Sequence, residues 1–473
     1  MKEANQYYTN RELSWLQFNE RVLDEAGNPR VPLAERLTFA SIYQTNLDEF
    51  FMVRVGTLMV RARSKDDYKE DKTNLSAKKQ VKKILKSVRE LEQKRARVVE
   101  QLWGELEPHG IRIINFNRLS HEEGKMLEHY FNVHIAPFLN PMIVGSQQPF
   151  PFLVNQDLYV VVALSPAGGK TGKAKGGKKD KERKLGIVPC SNSVFKRLIE
   201  IPTRPGTFML SEELILHFVG ALYNRYKIEE KAVMRITRSA DIDEEHFYYE
   251  NMDYRDMMEA LILLRDRLGP VRLELSRHLS DETRKELADH LRMKERHIIE
   301  VNTPLDLSFV FQLRDVLYGK TELFYQKRQP QRCVDVNYSE SMLDQIGRKD
   351  VLLSYPFQSM RPFLKLLQDA AQDESVLSIK MTLYRVADQS KIIESLLEAA
   401  ENGKEVVVMI ELRARFDEAN NIDVSRALEE AGCQVFYGIE QYKVHSKLCL
   451  ITRRTEDGFS YITQIGTGNY NEK

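Results

Sequence analysis

The residues best suited to catalysis lie near the end of the chain. Val444-His445-Ser446-Lys447 is embedded in a strand-like run, and a separation of two residues on a strand places the side chains of His445 and Lys447 on the same face. The glycine-rich segment Gly466-Thr467-Gly468-Asn469 follows. A histidine can attack phosphorus, a lysine can neutralise phosphate oxygens, and an asparagine on a glycine-rich turn can orient the ring or a phosphate. The pattern H-x-K followed by G-[ST]-x-N therefore indicates phosphoryl chemistry.

The histidine–lysine pair also has an ordinary explanation, which is a strand with one exposed histidine beside one lysine. The downstream segment favours the functional interpretation, because two glycine positions must coincide with the pair. The other histidines show neither an HExxH motif nor clustered ligand spacing, so surface or core roles are the default for them. Glu411 and Asp417 could reach the same site, but the sequence does not rank them.

The pattern resembles the phospholipase D superfamily, whose motif reads H-x-K-x4-D and then G-S-x-N. The aspartate position is Thr452 here, which argues against generic phosphodiester chemistry. A more specific resemblance is to polyphosphate kinase of the first type, a family that also lacks this aspartate. The resemblance runs in order from residue 8 to the last residue. It rests on the segments YTNRELSWLQFNERVL (8–23), NLDEFFMVR (46–54), YRVA (384–387), ARFDE (414–418), VHSKL (444–448) and GTGNYNEK (466–473).

This resemblance implies reversible transfer of the terminal phosphoryl group of ATP to inorganic polyphosphate through a phosphohistidine. His445 matches the phosphorylated histidine, and its neutral imidazole can both attack phosphorus and leave again. Lys447 and Asn469 match the phosphate-binding positions of the motif, with Lys447 also serving catalysis. Asn46 matches the nucleotide-contacting asparagine of the N-terminal region, although alone it would be a polar mid-helix residue or a cap.

Arg385 and Arg415 match two arginines that the family places at a magnesium–phosphate site. An arginine has no lone pair to offer a cation, so we interpret both as phosphate clamps beside Mg²⁺. Without the resemblance, Arg385 would be an exposed surface arginine, and Arg415 would form a salt bridge at the start of a helix.

Two other functions remain open at this point. One is a phosphodiesterase of the broader superfamily. The other is a polyanion-binding fragment without catalytic activity, for which the insert 167–184 is the best argument. The insert has five glycines and eight Lys/Arg against two acids, and we expect a solvated loop between two strands. The segment 164–171 nearly matches the phosphate-binding P-loop motif G-x-x-x-x-G-K-[ST]. However, Leu164 stands where the motif has its first glycine, and no helix is predicted to follow.

The elements that must position these residues fall into three regions. Residues 1–108 read as an all-α domain, with apolar residues at helical spacing. Residues 109–325 mix β-type runs such as 158–164 with helical stretches at 211–226, 252–268 and 280–291, which is typical of an α+β middle domain.

The third region, residues 326–473, alternates strands and helices and predicts an α/β, phospholipase D-like catalytic domain. Gly403 and Gly432 follow its two helices at the expected C-terminal positions. Near-continuous apolar strands favour a largely parallel, buried sheet. Sites of this superfamily generally join two H-x-K halves, and only one occurs here. We therefore expect an incomplete third domain and a chain that lacks the second catalytic domain.

Composition sets the remaining limits. The chain has 473 residues, and 70 Lys+Arg against 69 Asp+Glu give a net charge of +1, so any polyanion site must be local. The longest apolar run, 158–164, is too short to span a membrane. Four scattered cysteines argue against a disulfide scaffold and favour the cytoplasm. The resemblance implies ATP or ADP and polyphosphate as partners, a homo-oligomer that is commonly a tetramer, and peripheral association with the inner membrane in some members. The balanced net charge removes the simple argument for a nucleic-acid partner, and we expect none.

Overall fold

The structure is a computed structural model of the chain, and its residues form two compact units. The first unit comprises 1–242 with 265–326, and the second comprises 243–264 with 327–473. The structure describes residues 7–63, 68–145, 149–166, 183–191, 194–240, 255–256, 268–385, 390–412, 418–438, 444–470 and 472.

The N-terminal part of the first unit is helical, as the sequence predicts. Its helices are α1 (Arg11–Gly27), α2 (Leu33–Phe50), α3 (Gly56–Arg63) and α4 (Ala77–Leu106), and a π-helical turn (Phe51–Val55) joins α2 to α3. Asn10 is the N-cap of α1, because its side chain accepts hydrogen bonds from the backbone N–H groups of Glu12 and Leu13. The long helix α4 buries one apolar stripe and packs on the helices before it.

The remainder of the first unit combines helices with sheets, which confirms the predicted α+β character of the middle region. The elements are β1 (Arg112–Ile113), α5 (His121–Tyr130), β2 (Met142–Val144), β3 (Leu158–Pro166), β4 (Lys184–Pro189), β5 (Leu198–Glu200), β6 (Thr207–Leu210), α6 (Ser211–Leu222), β7 (Tyr226–Arg238), β8 (Pro270–Leu275), α7 (Asp281–His290), β9 (Ile298–Glu300) and α8 (Val310–Leu317). One sheet has the order β2-β4-β3-β7-β8-β9 and a smaller one the order β1-β6-β5. The pairs β8–β9 and β1–β6 are parallel and the others antiparallel.

The glycine-lysine insert joins two paired strands. Strands β3 and β4 are antiparallel, and Leu164 pairs with Lys184 at the end next to the insert. This pairing agrees with a loop between two strands. Residues 167–182 themselves lie outside the described residues, and so does most of the expected helix at 252–268.

The second unit is α/β. Its elements are α9 (Met342–Arg348), α10 (Arg361–Gln372), β10 (Val376–Leu383), α11 (Lys391–Glu401), β11 (Glu405–Ile410), α12 (Glu418–Glu430), β12 (Gln434–Tyr437), β13 (Lys447–Thr455) and β14 (Gly458–Gly466). The five strands form one sheet with the order β12-β11-β10-β13-β14. Gly403 and Gly432 follow α11 and α12 with φ values of 77° and 87°, which confirms the expected glycine C-caps of these helices.

The expectation of a largely parallel sheet is wrong for two of its strands. Strands β10, β11 and β12 are parallel, but β13 runs antiparallel to β10 and β14 antiparallel to β13. The connection from β13 to β14 is a tight turn ending at Gly458, whose φ is 130°, and so short a turn can only join antiparallel strands. The pairing of these five strands does not bear out the expected incompleteness of the region.

The helices and the cysteines bear on two further expectations from composition, those for membrane-spanning segments and for disulfides. No helix among the described residues is both long and apolar enough to cross a membrane. All four cysteines are free and buried, in agreement with the absence of a disulfide scaffold. Burial raises the pKa of the Cys449 thiol to about 12.

A buried group of charges joins helix α2 to the middle sheet. The carboxylate of Asp48 accepts hydrogen bonds from Arg235 at 2.7 and 3.0 Å and another from Arg272. Glu274 lies 3.4 Å from Arg235 and 3.2 Å from Arg272. Burial alone would raise the pKa of Asp48, but the two guanidinium groups outweigh it and hold this pKa below the ordinary value of 3.8.

Replacing Asp48 tests how much this group contributes to stability. Asp48→Asn removes one of the two carboxylates that neutralise the buried guanidinium groups of Arg235 and Arg272. We therefore expect the free energy of unfolding, measured by urea titration, to fall by about 3–5 kcal/mol. Because the pKa of Asp48 is depressed, its contribution is present above pH 3.8 and is lost as the pH falls through the folded-state pKa.

The matched control is Asp24→Asn. Asp24 is exposed and lies 2.6 Å from the half-buried Lys94, which also pairs with Glu20, so the removal of Asp24 is expected to cost less than about 1 kcal/mol. Equal effects of the two substitutions would contradict a structural role for the buried group.

Candidate functional site

Strand topology brings the predicted site residues of the second unit to one edge of the sheet. Strands β10 and β11 are parallel, so the segments that follow them, beginning at Tyr384 and Glu411, lie at the same edge. Strand β13 is antiparallel to β10, so its first residue, Lys447, lies there too. Gly466, the last residue of β14, pairs with Lys447 and starts the glycine-rich turn at this edge.

Asn421 fixes the ends of the two parallel strands relative to each other. Its side chain is fully buried, and its amide nitrogen donates hydrogen bonds to the backbone carbonyls of Tyr384 and Glu411, both at 2.9 Å. The backbone N–H of Glu411 also donates to the carbonyl of Leu383 at 3.0 Å. One buried amide on α12 therefore holds both segments from which site residues arise.

His445 and Lys447 do not share a strand, which corrects the sequence prediction. Strand β13 begins at Lys447, and His445 lies two residues before it with an exposed side chain. The pairing with β14 also starts only at Lys447. Beyond the last paired residues of β10 and β13, the side chain of Thr382 replaces the backbone hydrogen bonds between the strands. Its hydroxyl donates to the carbonyl of Ser446 at 2.7 Å and accepts from the N–H of Leu448 at 3.0 Å.

The ring of Tyr384 brings the two side chains together. The imidazole of His445 meets this ring edge to face, with centroids 5.3 Å apart. The ammonium of Lys447 lies 5.0 Å from the same ring, and the guanidinium carbon of Arg385 lies 5.9 Å from it. A cation over an aromatic face is attracted by the ring quadrupole, so Tyr384 gathers three nitrogen-bearing side chains at one place.

Lys447 is buried, with 2% of its surface exposed, although it carries an ammonium group. The ammonium donates to the carbonyl of His445 at 2.6 Å, and no carboxylate partner of this group is found among the described residues. Loss of hydration lowers the pKa of Lys447 below its ordinary value of 10.5. Such a charge is stabilised when an anion enters the site.

Glu411 supports the segment that carries His445. Its side chain is buried, and its Oε2 accepts a hydrogen bond from the backbone N–H of Val444 at 2.8 Å. A carboxylate that accepts a backbone N–H holds that backbone in place. The structure therefore brings Glu411 to the site as a neighbour of the histidine segment.

The turn that carries Asn469 is fixed on its far side. Asn469 and Thr467 are exposed, whereas Tyr470 is buried and stacks on Phe363 with ring centroids 5.2 Å apart. The hydroxyl of Tyr470 donates to Oε1 of Gln464 at 2.7 Å. The exposed amide of Asn469 thus stands on an anchored turn.

Asn46 belongs to the first unit, where it lies half-buried on α2. Its amide nitrogen donates to Oδ1 of Asn19 at 3.1 Å, and the buried Asn19 donates in turn to the carbonyl of Tyr43 at 3.0 Å. Both contacts fix the orientation of the Asn46 amide. Arg415 and Asp417, the other predicted residues, lie outside the described residues.

A protein-held metal does not fit the residues found here. Among the described residues, no group of three His, Cys, Asp or Glu side chains could hold a metal ion. Arg385 cannot coordinate a cation, and one oxygen of Glu411 already accepts the N–H of Val444. The donors at this edge of the sheet suit an anion.

Several residues of this edge are not singled out by sequence reasoning. Tyr384 stands beside Arg385 in the segment used for the resemblance, and its place directly after a strand is a signal that could have marked it. Asn421 and Thr382 carry no such signal, because their roles depend on which backbone groups the fold places beside them.

The fold and this edge define a multidomain protein whose α/β unit presents a histidine and cationic side chains at the carboxyl ends of its parallel strands. Ligands bind at this position in open α/β sheets. Three family models match consecutive parts of the chain: "Polyphosphate kinase N-terminal domain" residues 8–114, "Polyphosphate kinase middle domain" residues 122–313 and "Polyphosphate kinase C-terminal domain 1" residues 341–473. The chain belongs to the polyphosphate kinase family.

Similar proteins carry the same name. The chain is 38% identical over 470 residues to "Polyphosphate kinase" of Lactiplantibacillus plantarum, covering 98% of this chain and 63% of that protein. It is 38% identical over 474 residues to "Polyphosphate kinase" of Halalkalibacterium halodurans, covering 98% and 65%. The crystal structure of polyphosphate kinase from Porphyromonas gingivalis matches with a TM-score of 0.79 at 25% identity, covering 98% of this chain and 65% of that one. The chain therefore spans slightly less than two thirds of these proteins.

Asn421→Asp tests the link between the two strand ends. The substitution replaces an amide that donates to two carbonyls with a carboxylate that repels them, and each unsatisfied buried carbonyl costs about 1–3 kcal/mol. We expect lower stability in urea and faster hydrogen exchange of the Glu411 amide, measured by mass spectrometry. Asp423→Asn on the exposed side of the same helix is the control. Unchanged exchange at Glu411 in the Asn421 variant would show that this link is dispensable.

Proposed function

We propose that this chain transfers the terminal phosphoryl group of ATP to inorganic polyphosphate, in a reversible reaction with a phosphohistidine intermediate at His445. The observation that carries the proposal is the buried ammonium of Lys447 beside the exposed imidazole of His445. Membership in the polyphosphate kinase family supports the choice of substrates.

In the first half-reaction, the neutral imidazole of His445 attacks the terminal phosphorus of ATP. The N–P bond forms, the bond from that phosphorus to the bridging oxygen breaks, and ADP leaves with the electron pair. The ammonium of Lys447 and the guanidinium of Arg385 stabilise the charge on the phosphoryl oxygens, and Arg415 is proposed to act with them.

In the second half-reaction, a terminal oxygen of polyphosphate attacks the phosphorus of the phosphohistidine. The N–P bond breaks, and the imidazole recovers its electron pair. Reversal of both steps forms ATP from polyphosphate and ADP. Asn469, exposed on its anchored turn, is proposed to orient a phosphate, and the fixed amide of Asn46 to contact the nucleotide.

Magnesium enters this proposal with the nucleotide. The cationic donors of the described edge suit phosphate oxygens, so we propose that Mg²⁺ is bound by the phosphates of ATP and that Arg385 and Arg415 hold oxygens beside it. When bound, the ion neutralises phosphate charge. We also propose the three domains 1–108, 109–325 and 326–473, a homo-oligomeric assembly and a cytoplasmic location.

The test of the intermediate is labelling of the intact protein with ATP that carries ³²P in the terminal phosphate. We expect a protein-bound label that is stable in alkali and lost in acid, as expected of a phosphohistidine. The label and polyphosphate synthesis should both disappear in His445→Ala. His278→Ala is the matched control, because His278 is an exposed histidine of the first unit that contacts Glu300. An acid-stable label, or full labelling of His445→Ala, would refute the proposed intermediate.

The lowered pKa of Lys447 predicts how activity depends on pH. The ammonium loses its proton at a lower pH than ordinary lysine does, so activity should fall as the pH rises through this pKa, below 10.5. In Lys447→Arg the guanidinium stays charged, and we expect the alkaline decrease in kcat/KM to disappear even though the absolute rate is lower. Lys380→Arg, at an exposed lysine of β10, should keep the wild-type profile. The same alkaline decrease in Lys447→Arg would assign it to another group.

A further inference from the structure

The carboxylate of Glu472 occupies the start of helix α11. Its Oε2 accepts the backbone N–H of Lys391 at 2.9 Å, and its Oε1 accepts the N–H of Ile392 at 3.2 Å and the hydroxyl of Ser390. A negative charge at a helix N-terminus is favoured by the helix dipole and by the backbone N–H groups that lack partners within the helix. These bonds link two segments that are distant in the sequence.

The first of these segments is the turn that carries Asn469. Its start is fixed because Gly466 pairs with Lys447 in the sheet. Its middle is fixed because the ring of Tyr470 stacks on Phe363. Glu472 adds a third attachment point, two residues beyond Tyr470, and this attachment consists of charge-assisted hydrogen bonds.

The second segment is the connection from β10 to α11, which carries Arg385. The first residue of the connection, Tyr384, is held by Asn421, whose side-chain amide donates a hydrogen bond to the Tyr384 carbonyl. The connection ends at Ser390, a buried residue whose hydroxyl donates to Glu472 and accepts from the N–H of Ile392. Glu472 therefore binds the end of the connection that contains Arg385, while its own turn contains Asn469. Both residues are proposed to bind phosphate.

We propose that Glu472 is a positioning residue that ties the Asn469 turn to the Arg385 connection and so sets the separation of the two phosphate-binding side chains. We assign it no contact with substrate, because its oxygens accept bonds from Ser390, Lys391 and Ile392 and its negative charge repels phosphate. This inference rests on the proposed function, since it concerns how phosphate groups are held in that reaction.

A double-substitution cycle tests the coupling. Glu472→Gln keeps the size of the side chain but replaces one acceptor oxygen with an amide nitrogen that faces a backbone N–H. We expect KM for polyphosphate to rise about tenfold, as for the loss of one charge-assisted hydrogen bond. Asn469→Ala should also raise KM, but in the Glu472→Gln background its effect should shrink several-fold, because the amide is then no longer held in place.

Matched variants separate positioning from general stability. Glu394→Gln removes an exposed carboxylate from the first turn of the same helix, and KM should not change. Leu396→Ala opens a cavity under the same helix; it should lower the melting temperature while the effect of Asn469→Ala stays at its wild-type size. Ser390→Ala, which removes one bond of the attachment, should raise KM in the same direction as Glu472→Gln.

Independent effects of Glu472→Gln and Asn469→Ala, which multiply in the double variant, would overturn the positioning role. An unchanged KM in both Glu472→Gln and Ser390→Ala would do the same. Failure of the proposed function is recognised separately, because His445→Ala would then keep its phosphoryl label and its activity. If Glu472→Gln does not fold, Ser390→Ala combined with Asn469→Ala provides the same cycle.

Discussion

The candidate site depends on the mixed pairing of strand β10. Its parallel partner β11 brings two carboxyl strand ends to one edge, and its antiparallel partner β13 brings an amino end to the same edge. Tyr384 and Lys447 can meet only because of this arrangement. A fourth parallel strand in the place of β13 would put its first residue at the opposite edge, about 25 Å away for strands of this length. The site therefore needs both the parallel strands, which place Tyr384 and Glu411, and the hairpin of β13 and β14, which places Lys447 and the glycine-rich turn.

Electrostatics distinguishes the cations of the two units. Arg36, Arg235 and Arg272 are buried in the first unit, and each has a carboxylate close by. No carboxylate partner of the buried Arg238 is found in the described part of the chain, but its guanidinium donates to two backbone carbonyls at 2.8 Å and lies over the ring of Phe152. Lys447 has three N–H donors, and its contacts among the described residues are one carbonyl and one ring. An incoming phosphate would supply the acceptors that the structural arginines already have.

The sequence predicts the elements better than their contacts. Helical spacing before residue 108, the strands of the third region and the glycines at 403 and 432 follow from periodicity and local backbone preference, which act over a few residues. The direction of β13 and the coil at His445 depend on pairing with distant strands and on the hydroxyl of Thr382, and neither leaves a local pattern. The spacing of the H-x-K and G-[ST]-x-N segments marks His445, Lys447 and Asn469 as candidates. Asn421 and Glu472, in contrast, are recognised only through the backbone groups that they hold.

The supporting contacts explain how the side chain of His445, the proposed nucleophile, can be exposed and still be held in one orientation. An exposed imidazole on a free loop would lose much of its orientation to side-chain and backbone motion, which lowers the rate of any attack that needs alignment. Here the backbone on both sides of His445 is held: Glu411 binds the N–H of Val444, and Thr382 binds the carbonyl of Ser446. The imidazole itself rests against Tyr384, whose carbonyl is held by Asn421. Access for a phosphate and a fixed direction of approach are therefore compatible, because the buried polar contacts restrain the backbone and leave the ring open to solvent.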